Sequence, residues 1–587
     1  MASGTLLSRI TGFAKLAALG YALGEKNVAD AFNLANNTPN IVYDLLIGSV
    51  IAGTVVPVFV DRLARQDERR AWEDISAILT LAAVALTIAT LILVLAAPLV
   101  IYAYTGGASG ANQVVERHGA TLLLRLFAPQ VAFYALIGLA TAVLNARRRF
   151  APPTFVPIAN NLAVIAILLA VHALYPHPSL STFTHHPGFL LLLGIGTTGG
   201  ILVQALLLVP SLRAAAPRLG QARVDVVSTL ARQPEVDPQW RRANTADSWE
   251  RLARLGRLAD GYSPSWSDRR RQGGSALRWH WEPRNPAVAQ VLKLAGWTFG
   301  SALATQIVYF IVLHLAYVSQ RNGGVTAYTY GYTFFMLPVG IVGVSIMSAA
   351  QPELAQYWAR GDLEAFWRRS VAAMRALVVA VVPPAVGYLV LSVPIAALVL
   401  AHGVGNLSGA SQTASALVGL AVGLPGFCAW LFVGSAFQAM QDTRTVFAYY
   451  LLETGLNVAL AFLLQPFLGV RGLAFALSAS YTVTAVVGWA GLRHRLASGV
   501  PGPTGTAKLG FVAQGGRLPT TASLGLARAL LRVCVLSAIM GAIVYEVSGH
   551  VGSDHGAGLV IRVVVSVASG IAAFTAGTAL ASRLSLH

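Results

Sequence analysis

Long apolar segments constrain what this chain can fold into more than any other feature of its sequence. A bilayer core of about 30 Å needs roughly 20 apolar residues per helix, and fourteen segments reach that length. They are residues 4–23, 38–60, 75–104, 119–146, 152–174, 188–212, 287–317, 325–350, 370–401, 413–440, 446–467, 472–492, 523–548 and 557–582. Only 11% of the 587 residues are charged, against roughly 25% in a soluble domain. The sequence therefore predicts an all-α integral membrane protein with fourteen transmembrane helices.

The basic residues between these segments predict the orientation in the membrane. With the N-terminus inside, the cytoplasmic connections and tail hold 30 Lys and Arg residues. The outer connections hold four, which are Lys26, Arg117, Arg321 and Arg471. This excess follows the positive-inside rule and places both termini in the cytoplasm. The net charge of +18 is thus explained by topology, and no nucleic-acid partner is expected.

An internal repeat relates the two halves of the chain at offsets of 295 and 296 residues. The matched pairs are Gly48 with Gly343, Pro57 with Pro352, Asp67 with Asp362, Trp72 with Trp367, Pro129 with Pro425 and Arg148 with Arg444. Six helices separate the copies, and an even number gives both the same orientation. The pattern predicts two pseudo-symmetric six-helix lobes, residues 1–212 and 287–497, around a central cleft. A cytoplasmic linker, 498–522, and a last helix pair within 523–587 follow them.

Residues 213–286 interrupt this plan as a basic cytoplasmic insertion between the lobes. Fourteen arginines and eight acidic residues lie between 213 and 284, without a spanning segment. The leucines and arginines between Thr245 and Ala259 suit an interfacial helix on anionic lipid. A partly disordered basic linker fits the same composition. The insertion is also a candidate surface for cell-wall synthesis proteins.

Charged residues inside the apolar segments are the best indicators of a site, because charges in a bilayer are costly and usually face a cavity. In the first lobe these residues are Arg9, Lys15, Asp44 and Arg125, with Asn40 one turn before Asp44. Three cations against one acid indicate an anionic ligand. Arg9 and Lys15 lie about 240° apart on an ideal helix and share a wall only if Gly12 bends it or the cavity is wide. Snorkelling of Arg9 and pairing of Arg125 with an acid are the competing interpretations.

A second polar group lies in the second lobe, where Glu453 precedes Asn457 by one turn. With Thr482 or Thr484 it offers oxygen ligands for Na⁺, or a proton site. A structural hydrogen bond between helices is the alternative. The sequence contains no P-loop, HExxH or GxSxG pattern. We therefore expect a transporter rather than an enzyme, with no cofactor or resident metal, driven by Na⁺ or H⁺ coupling and the membrane potential.

Several short motifs resemble one family over nearly the whole chain except the insertion. They are the stretch from Ser8 to Lys15, Asp30-Ala31-Phe32, Pro39-Asn40, Leu144-Asn145 with Arg149-Phe150, Phe335-Met336-Leu337-Pro338 with Gly340, and Gln441-Asp442-Thr443-Arg444-Thr445. This set is similar to the MurJ/MviN family of lipid II flippases, within the multidrug/oligosaccharidyl-lipid/polysaccharide exporter superfamily. Lys15 stands where the family usually has Arg, Leu16 where an acid is frequent, Tyr43-Asp44 where many members have paired Arg, and Thr333 where many have another Arg. These departures resemble the actinobacterial branch.

The resemblance implies fourteen helices, two lobes around a cationic cavity, and a last helix pair that lines a groove for a polyprenyl tail. It implies alternating access that carries undecaprenyl-pyrophosphate-linked peptidoglycan precursor from the inner to the outer leaflet of the bacterial plasma membrane. By position, Ser8, Arg9, Lys15 and Asp30 match the family's functional residues.

Three other functions remain open at this point. One is a flippase for another polyprenyl-linked glycan, since sugar recognition leaves no short motif. The second is a cation-coupled drug exporter, for which an acid-dominated cavity is expected. The third is a membrane scaffold that recruits cell-wall enzymes through the insertion.

Overall fold

The computed structural model describes residues 2–48, 68–106, 110–146, 149–215, 281–282, 285–319, 322–498, 500–501, 508–509, 520–552 and 556–584. Within these ranges the chain is helical apart from short connections and one antiparallel pair of two-residue strands. The strands are β1 (Val500–Pro501) and β2 (Lys508–Leu509). The predicted all-α class is confirmed at this level. Most of the insertion, including the predicted helix at 245–259, lies outside the described residues.

The helices are numbered in chain order. They are α1 (Ala2–Leu23), α2 (Asn27–Tyr43), α3 (Glu68–Thr105), α4 (Ala111–Phe127), α5 (Gln130–Ala146), α6 (Ala151–Leu174), α7 (Leu180–His185), α8 (Pro187–Ala215), α9 (Pro286–Ser319), α10 (Gly324–Pro338), α11 (Val344–Arg360), α12 (Leu363–Leu400), α13 (Leu407–Ala439), α14 (Thr443–Leu468), α15 (Val470–Ser498), α16 (Thr520–His550) and α17 (Gly556–Leu584). Two π-helical segments, Asp44–Gly48 and Val339–Gly343, continue α2 and α10.

Twelve helices in the described ranges are long and apolar enough to cross a membrane. In this count α4 with α5 forms one span, and α10 with α11 forms another. Helix α1 is not among the twelve, and the predicted second segment, 38–60, runs beyond residue 48 into residues that are not described. A chain with twelve such helices is a multi-pass membrane protein. The count of fourteen stays a prediction.

Helix α2 begins at Asn27, eleven residues before the predicted start of the second segment. Its first turns contain Asp30 and Asn33, which lower the apolar content there. Both side chains are buried and hydrogen-bonded to protein groups rather than exposed to lipid. A prediction from hydropathy places such residues outside the membrane-spanning segment, because hydropathy does not include the hydrogen-bond partners that other helices supply.

The Gln441–Thr445 motif is a helix boundary. Gln441 adopts a left-handed φ of 61° in the turn after α13. Asp442 then caps α14 by accepting hydrogen bonds from the Thr445 backbone N–H at 3.1 Å and its hydroxyl at 2.8 Å. Arg495 of α15 pairs with Asp442 at 3.0 Å. The motif therefore holds three helix ends together, and its arginine, Arg444, is exposed.

The helix boundaries repeat with the offset of 295 residues seen in the sequence. The π-helical segment at 44–48 corresponds to the one at 339–343, and α3 and α12 are both 38 residues long with starts 295 residues apart. Helix contacts repeat as well. The contacts of α1 with α6, α2 with α4 and α6 with α8 recur as α9 with α14, α10 with α13 and α14 with α15.

Contacts between the two halves also come in related pairs. Helix α1 packs on α12, and its counterpart α9 packs on α3, while α2 and α10 contact each other. A pseudo-twofold axis that passes through the α2–α10 contact would interchange the halves and so relate the α1–α12 contact to the α9–α3 contact. The six helices α1, α2, α3, α9, α10 and α12 consequently surround the region between the halves. Outside them, α16 packs on α12 and on α17.

Candidate functional site

Helix α1 forms one wall of the region between the halves. One side of it is fixed on α6, where the Asn161 side-chain amide donates to the Ser8 carbonyl at 3.3 Å and the Thr11 hydroxyl at 3.1 Å. Another side faces the second half, where Phe13 makes an edge-on contact with Phe334 at 5.2 Å between ring centroids. The Ser8 carbonyl therefore takes part in the packing of α1 on α6.

Arg9 faces the second half, on the side of α1 that carries Phe13. Its half-buried guanidinium lies against the π-helical segment after α10. A Cβ atom built on Gly340 would be 2.7 Å from Arg9 Cζ and 2.8 Å from Nη2. Gly340 thus provides the space in which Arg9 reaches across the interface.

Lys15 occupies a different side of α1. The helical period places it within about 20° of Ser8 and about 120° from Arg9, and α1 is continuous from Ala2 to Leu23. Lys15 is half-buried, and the helical period assigns it to the side of α1 where Ser8 and Thr11 contact Asn161 of α6. The structure therefore does not bring Arg9 and Lys15 onto one wall, as a bend at Gly12 would have done.

Asp30 joins the two halves at the end of the bundle where α1, α9 and α12 finish. Its carboxylate accepts hydrogen bonds from the backbone N–H groups of Gly323 and Thr326, both at 2.8 Å, and from the Thr326 hydroxyl at 2.6 Å. The Asn33 amide donates to the same hydroxyl at 3.0 Å. Asp30 is 0% exposed. The Asp30 carboxylate thus caps the start of α10 from the other half of the molecule. We call Asp30, Asn33, Gly323 and Thr326 the Asp30 latch.

Gly323 is the residue whose backbone makes this latch possible. Its φ of 103° is in the left-handed region, and the Cβ of any other residue would meet the Glu25 carbonyl. In this conformation the Asp30 carboxylate is enclosed by these partners. Its predicted role in binding substrate stays a prediction, and in the structure it joins the two halves.

Glu25 makes a second contact between the halves at the same end. It lies in the connection between α1 and α2, and its carboxylate accepts from the Asn406 backbone N–H at the start of α13, at 3.3 Å. The backbone carbonyl of Tyr21 accepts a further hydrogen bond there from the Val404 backbone N–H at 2.9 Å. Burial raises the pKa of Glu25 to about 7, against the opposing effects of the Asn406 N–H and of Lys26.

The raised pKa makes closure at this end sensitive to pH. When the end opens and Glu25 meets water, its pKa returns towards the ordinary value of 4.5. The protonated carboxyl therefore favours the closed form fully below about pH 4.5, and this contribution, at most about 3 kcal/mol, is lost as the pH rises through 7. We expect Ala410→Cys, in a chain lacking Cys428 and Cys534, to react with an external maleimide at least tenfold faster at pH 8 than at pH 5 after the effect of thiol ionisation is divided out. The Glu25→Gln variant with the same reporter should show a smaller corrected change between the two pH values. An identical profile in both proteins would contradict the prediction.

The other predicted residues of the first half lie apart from Arg9 and Lys15. Asn40 is half-buried and donates to the Asn36 carbonyl at 3.0 Å. Asp44 is exposed at the start of the π-helical segment, and Arg125 is exposed near the end of α4. No hydrogen bond or ion pair recorded between described residues joins these three to Arg9 or Lys15. Their assignment to a substrate site remains a prediction.

The predicted polar group of the second half is a buried cluster between α14 and α15. Glu453 is 4% exposed and accepts a hydrogen bond from the Ser480 hydroxyl at 3.3 Å. Asn457 Oδ1 and the Thr484 hydroxyl are both buried, with no hydrogen-bond partner in the described part of the chain. Thr484 follows Ser480 by one turn and shares its side of α15.

Thr482 points elsewhere. Its hydroxyl donates to the Ser478 carbonyl at 2.7 Å and lies against Gly426 of α13, so it does not face Glu453. The group that faces α14 is Ser480 with Thr484. Sequence reasoning missed Ser480, although its spacing of four from Thr484 was a signal that could have identified it. Of the two threonines considered, the geometry favours Thr484.

Comparisons with known proteins bear on what these sites do. A family model described as lipid II flippase MurJ matches residues 19–565. A lipid II flippase MurJ from Burkholderia cenocepacia is 23% identical over 84% of this chain and 82% of its own length. A solved structure of lipid II flippase MurJ in an inward closed conformation superposes with a TM-score of 0.69 at 15% identity, covering 100% of this chain and 99% of its own. An inward-facing transporter of the multidrug resistance MATE family covers 84% of this chain and 98% of its own, with a TM-score of 0.60 at 13% identity. The two structures share the fold of this chain.

Proposed function

Because this chain belongs to the lipid II flippase MurJ family, we propose that it carries lipid II from the inner to the outer leaflet of the bacterial plasma membrane by alternating access. The family match over residues 19–565 is the observation that carries the assignment. The chain is a multi-pass membrane transporter and not an enzyme. The resemblance found in the sequence motifs is confirmed at the level of the family.

The proposed topology has fourteen helices, both termini in the cytoplasm, and two lobes of six helices. The excess of Lys and Arg in one set of connections supports the orientation. The lobes are supported by the repeated helix boundaries and by the exchanged contacts of α1 with α12 and α9 with α3. In this orientation the Asp30 latch is at the outer end. The described conformation is then closed towards the outside.

The proposed transport cycle follows from this placement. Lipid II enters the cleft from the inner leaflet, and its pyrophosphate is neutralised by Arg9 and, at another point of its passage, by Lys15. The polyprenyl tail stays in lipid, along the last helix pair. Support for that path comes from the exposed apolar side chains of α16 and α17, such as Leu531, Ile571 and Leu580. Opening the Asp30 latch then releases the headgroup outside.

A reconstituted leaflet assay with defined substrates tests the proposal. Purified protein in liposomes should move lipid II between leaflets, and heat-inactivated protein should not. Movement of a different polyprenyl-linked glycan with no movement of lipid II would overturn the substrate assignment. Deleting residues 220–280 separates a flippase from a scaffold, because a scaffold loses its function entirely and a flippase only in part.

Gly340→Ala tests whether Arg9 works in the position seen here. The new methyl group would occupy the place of the guanidinium, which is the flexible end of its side chain and can move away. We therefore expect the variant to fold and to lose roughly tenfold in flipping, since small misplacements of a binding group are costly. Gly387→Ala is the matched control, because nothing lies within 4 Å of its Cβ position in the helix α12. Equal flipping by the two variants would show that the position of Arg9 is unimportant.

Coupling is proposed to use the cluster at Glu453. Its carboxylate, the Asn457 and Thr484 oxygens and Ser480 offer oxygen ligands of the kind that Na⁺ prefers, or a protonatable carboxyl. We expect Glu453→Gln to lower flipping under a sodium or proton gradient while leaving the protein level unchanged. Thr482→Val is the control, since Thr482 faces α13. If Glu453→Gln responds to both gradients as the native protein does, the cluster is structural and the membrane potential is the remaining driving force.

A further inference from the structure

Three arginines lie close together where α16 begins to pack on α12. Arg375 belongs to the apolar span of α12, and Arg528 and Arg532 belong to that of α16. All three are exposed, and we call them the inner arginine cluster. In the proposed orientation this end of α16 follows the cytoplasmic linker and therefore lies at the inner leaflet. The cluster is separate from Arg9 and Lys15, and the transport cycle above does not use it.

Gly525 is the position at which the two helices bring the cluster together. A Cβ atom built on Gly525 would be 2.6 Å from Arg375 Nη2, so the Arg375 guanidinium lies directly on α16. Arg528 and Arg532 follow Gly525 by three and seven residues, which places the three positions within about 60° of one another around the helix. The side chains of a helix lean towards its start. Arg528 consequently leans towards the Arg375 guanidinium.

No carboxylate in either helix lies near enough to balance these charges. The only acid of α12, Glu364, is about 16 Å from Arg375 along the helix axis. The first acid of α16, Glu546, is about 21 Å beyond Arg532. Residues 499–519, which precede α16, contain no acid. Among the described residues, none of the three arginines has a recorded ion pair or side-chain hydrogen bond. Since like charges one turn apart repel, the cluster favours a bound anion.

The depth of the cluster indicates which anion it meets. The apolar span of α16 begins at Gly525, so Arg528 and Arg532 lie about 5 and 10 Å along the axis from its start. The polar headgroup layer borders the hydrocarbon core on this side, and arginine side chains that lean towards the helix start reach it by snorkelling. A guanidinium binds phosphate oxygens in a bidentate manner. The anion at this level is therefore the phosphate of a lipid.

An apolar row continues from the cluster along α16. Leu531, Val535 and Ile539 follow one another at intervals of four residues, and all three are exposed. They lie on the side of α16 that carries Arg528 and Arg532. One row along one helix suits a single linear hydrocarbon chain better than a pair of acyl chains. Three arginines also match a diphosphate, which carries more negative charge than one phosphodiester.

We propose that the inner arginine cluster is an entry site for the polyprenyl-linked substrate and holds its diphosphate at the inner leaflet before the headgroup moves into the cleft. The three guanidinium groups bind the phosphate oxygens, and the tail begins along Leu531 and Val535. Helix α12 is one of the six helices that surround the cleft, so the site lies at the rim of the cleft. This inference rests on the proposed function for both the substrate and the orientation.

Photo-crosslinking tests the entry site without a transport step. The full chain is reconstituted in phosphatidylcholine liposomes with photoactivatable undecaprenyl diphosphate or, separately, photoactivatable phosphatidylglycerol, and labelled peptides are mapped by mass spectrometry. The diphosphate probe should label the peptides that contain residue 375 and residues 525–539, and phosphatidylglycerol should label them about tenfold less. Combining Arg528→Gln with Arg532→Gln should lower the diphosphate signal at least about tenfold, as expected for lost charged hydrogen bonds. The corresponding double Lys variant should retain part of the signal.

Three single variants keep the test decisive if the double variant inserts poorly. Arg375→Gln leaves the sequence of α16 intact and should lower labelling several-fold. Gly525→Ala places a methyl group where the Arg375 guanidinium lies and should lower labelling without a change of charge. Arg368→Gln is the matched control, because Arg368 is an exposed cation at the same end of α12 that already pairs with Glu364 at 3.6 Å. It should leave labelling unchanged.

The entry site and the proposed function fail in different ways. Labelling that is indifferent to the three arginines, in a protein that flips lipid II, would overturn the entry site alone. Labelling by phosphatidylglycerol that equals or exceeds labelling by the diphosphate probe would also overturn it, since the cluster would then be a general contact for anionic lipids. Arginine-dependent labelling in a native protein that does not flip lipid II would instead contradict the proposed function.

Discussion

Arg9→Ala is expected to abolish lipid II flipping while the protein still inserts into the membrane and accumulates. The guanidinium lies half-buried between the halves, against Gly340, where its charge can neutralise a pyrophosphate that has left water. Removing it leaves the anion uncompensated, at a cost of several kcal/mol. This corresponds to a loss of at least about a hundredfold in rate. Two quantities are measured for the same variant: the rate of lipid II flipping in liposomes and the amount of protein in the membrane.

Lys15→Ala is expected to have the same effect, and Lys15→Arg to remain active because it keeps the charge. The structure adds a condition to this expectation, since Lys15 lies on the α6 side of α1 and not beside Arg9. The two cations then meet the substrate at different points of its passage. Both Lys15 variants are measured for flipping and for membrane abundance in the same liposome assay as Arg9→Ala.

Arg444→Ala is the matched control for both cations, because Arg444 is exposed in the turn before α14. It should lose little, as expected for a solvated surface charge. A low membrane level of Arg9→Ala would support a topological anchor instead of a binding role. A fully active and abundant Lys15→Ala variant would remove the reason for placing the pyrophosphate near that residue.

Asp30→Ala is expected to release the closure at the outer end and to reduce flipping at least about tenfold. The substitution removes three hydrogen bonds from a fully buried carboxylate and leaves the N–H groups of Gly323 and Thr326 without their acceptor. Losing one side of such a buried charged contact costs about 3–5 kcal/mol. That is enough to shift the balance between the closed and open forms by more than a hundredfold.

Cysteine accessibility measures this directly. A reporter cysteine at position 29, which is 0% exposed beside the latch, should react with an external maleimide much faster in Asp30→Ala than in the native background. The control is Thr326→Ser, which keeps the hydroxyl and both N–H donors. Thr326→Val should have an intermediate effect, because it removes the two hydrogen bonds of the hydroxyl, to Asp30 and from Asn33, and leaves both backbone N–H donors to Asp30 in place. Unchanged accessibility in Asp30→Ala would mean that other contacts close this end.

The motif from Ser8 to Lys15 identified the wall of the cleft, and Asp30 and Gly340 were already singled out as members of family motifs. What Asp30 and Gly340 do was not visible, since their partners lie about 300 residues away along the chain. The boundary of α2 was missed for the same reason, because its polar residues are satisfied by α10.

The membrane character of the chain, its helical class, its repeat and its family could all be predicted from the sequence. These properties follow from local quantities, namely the hydropathy of successive segments, the distribution of basic residues and short motifs. The structure adds that Arg9 lies against Gly340 and that Ser480, rather than Thr482, faces Glu453. Each of these depends on how a helix is rotated about its axis and on which distant helix it meets. Spacing along one helix cannot supply that information, because every side of a helix in a bundle of this kind is apolar enough to be buried.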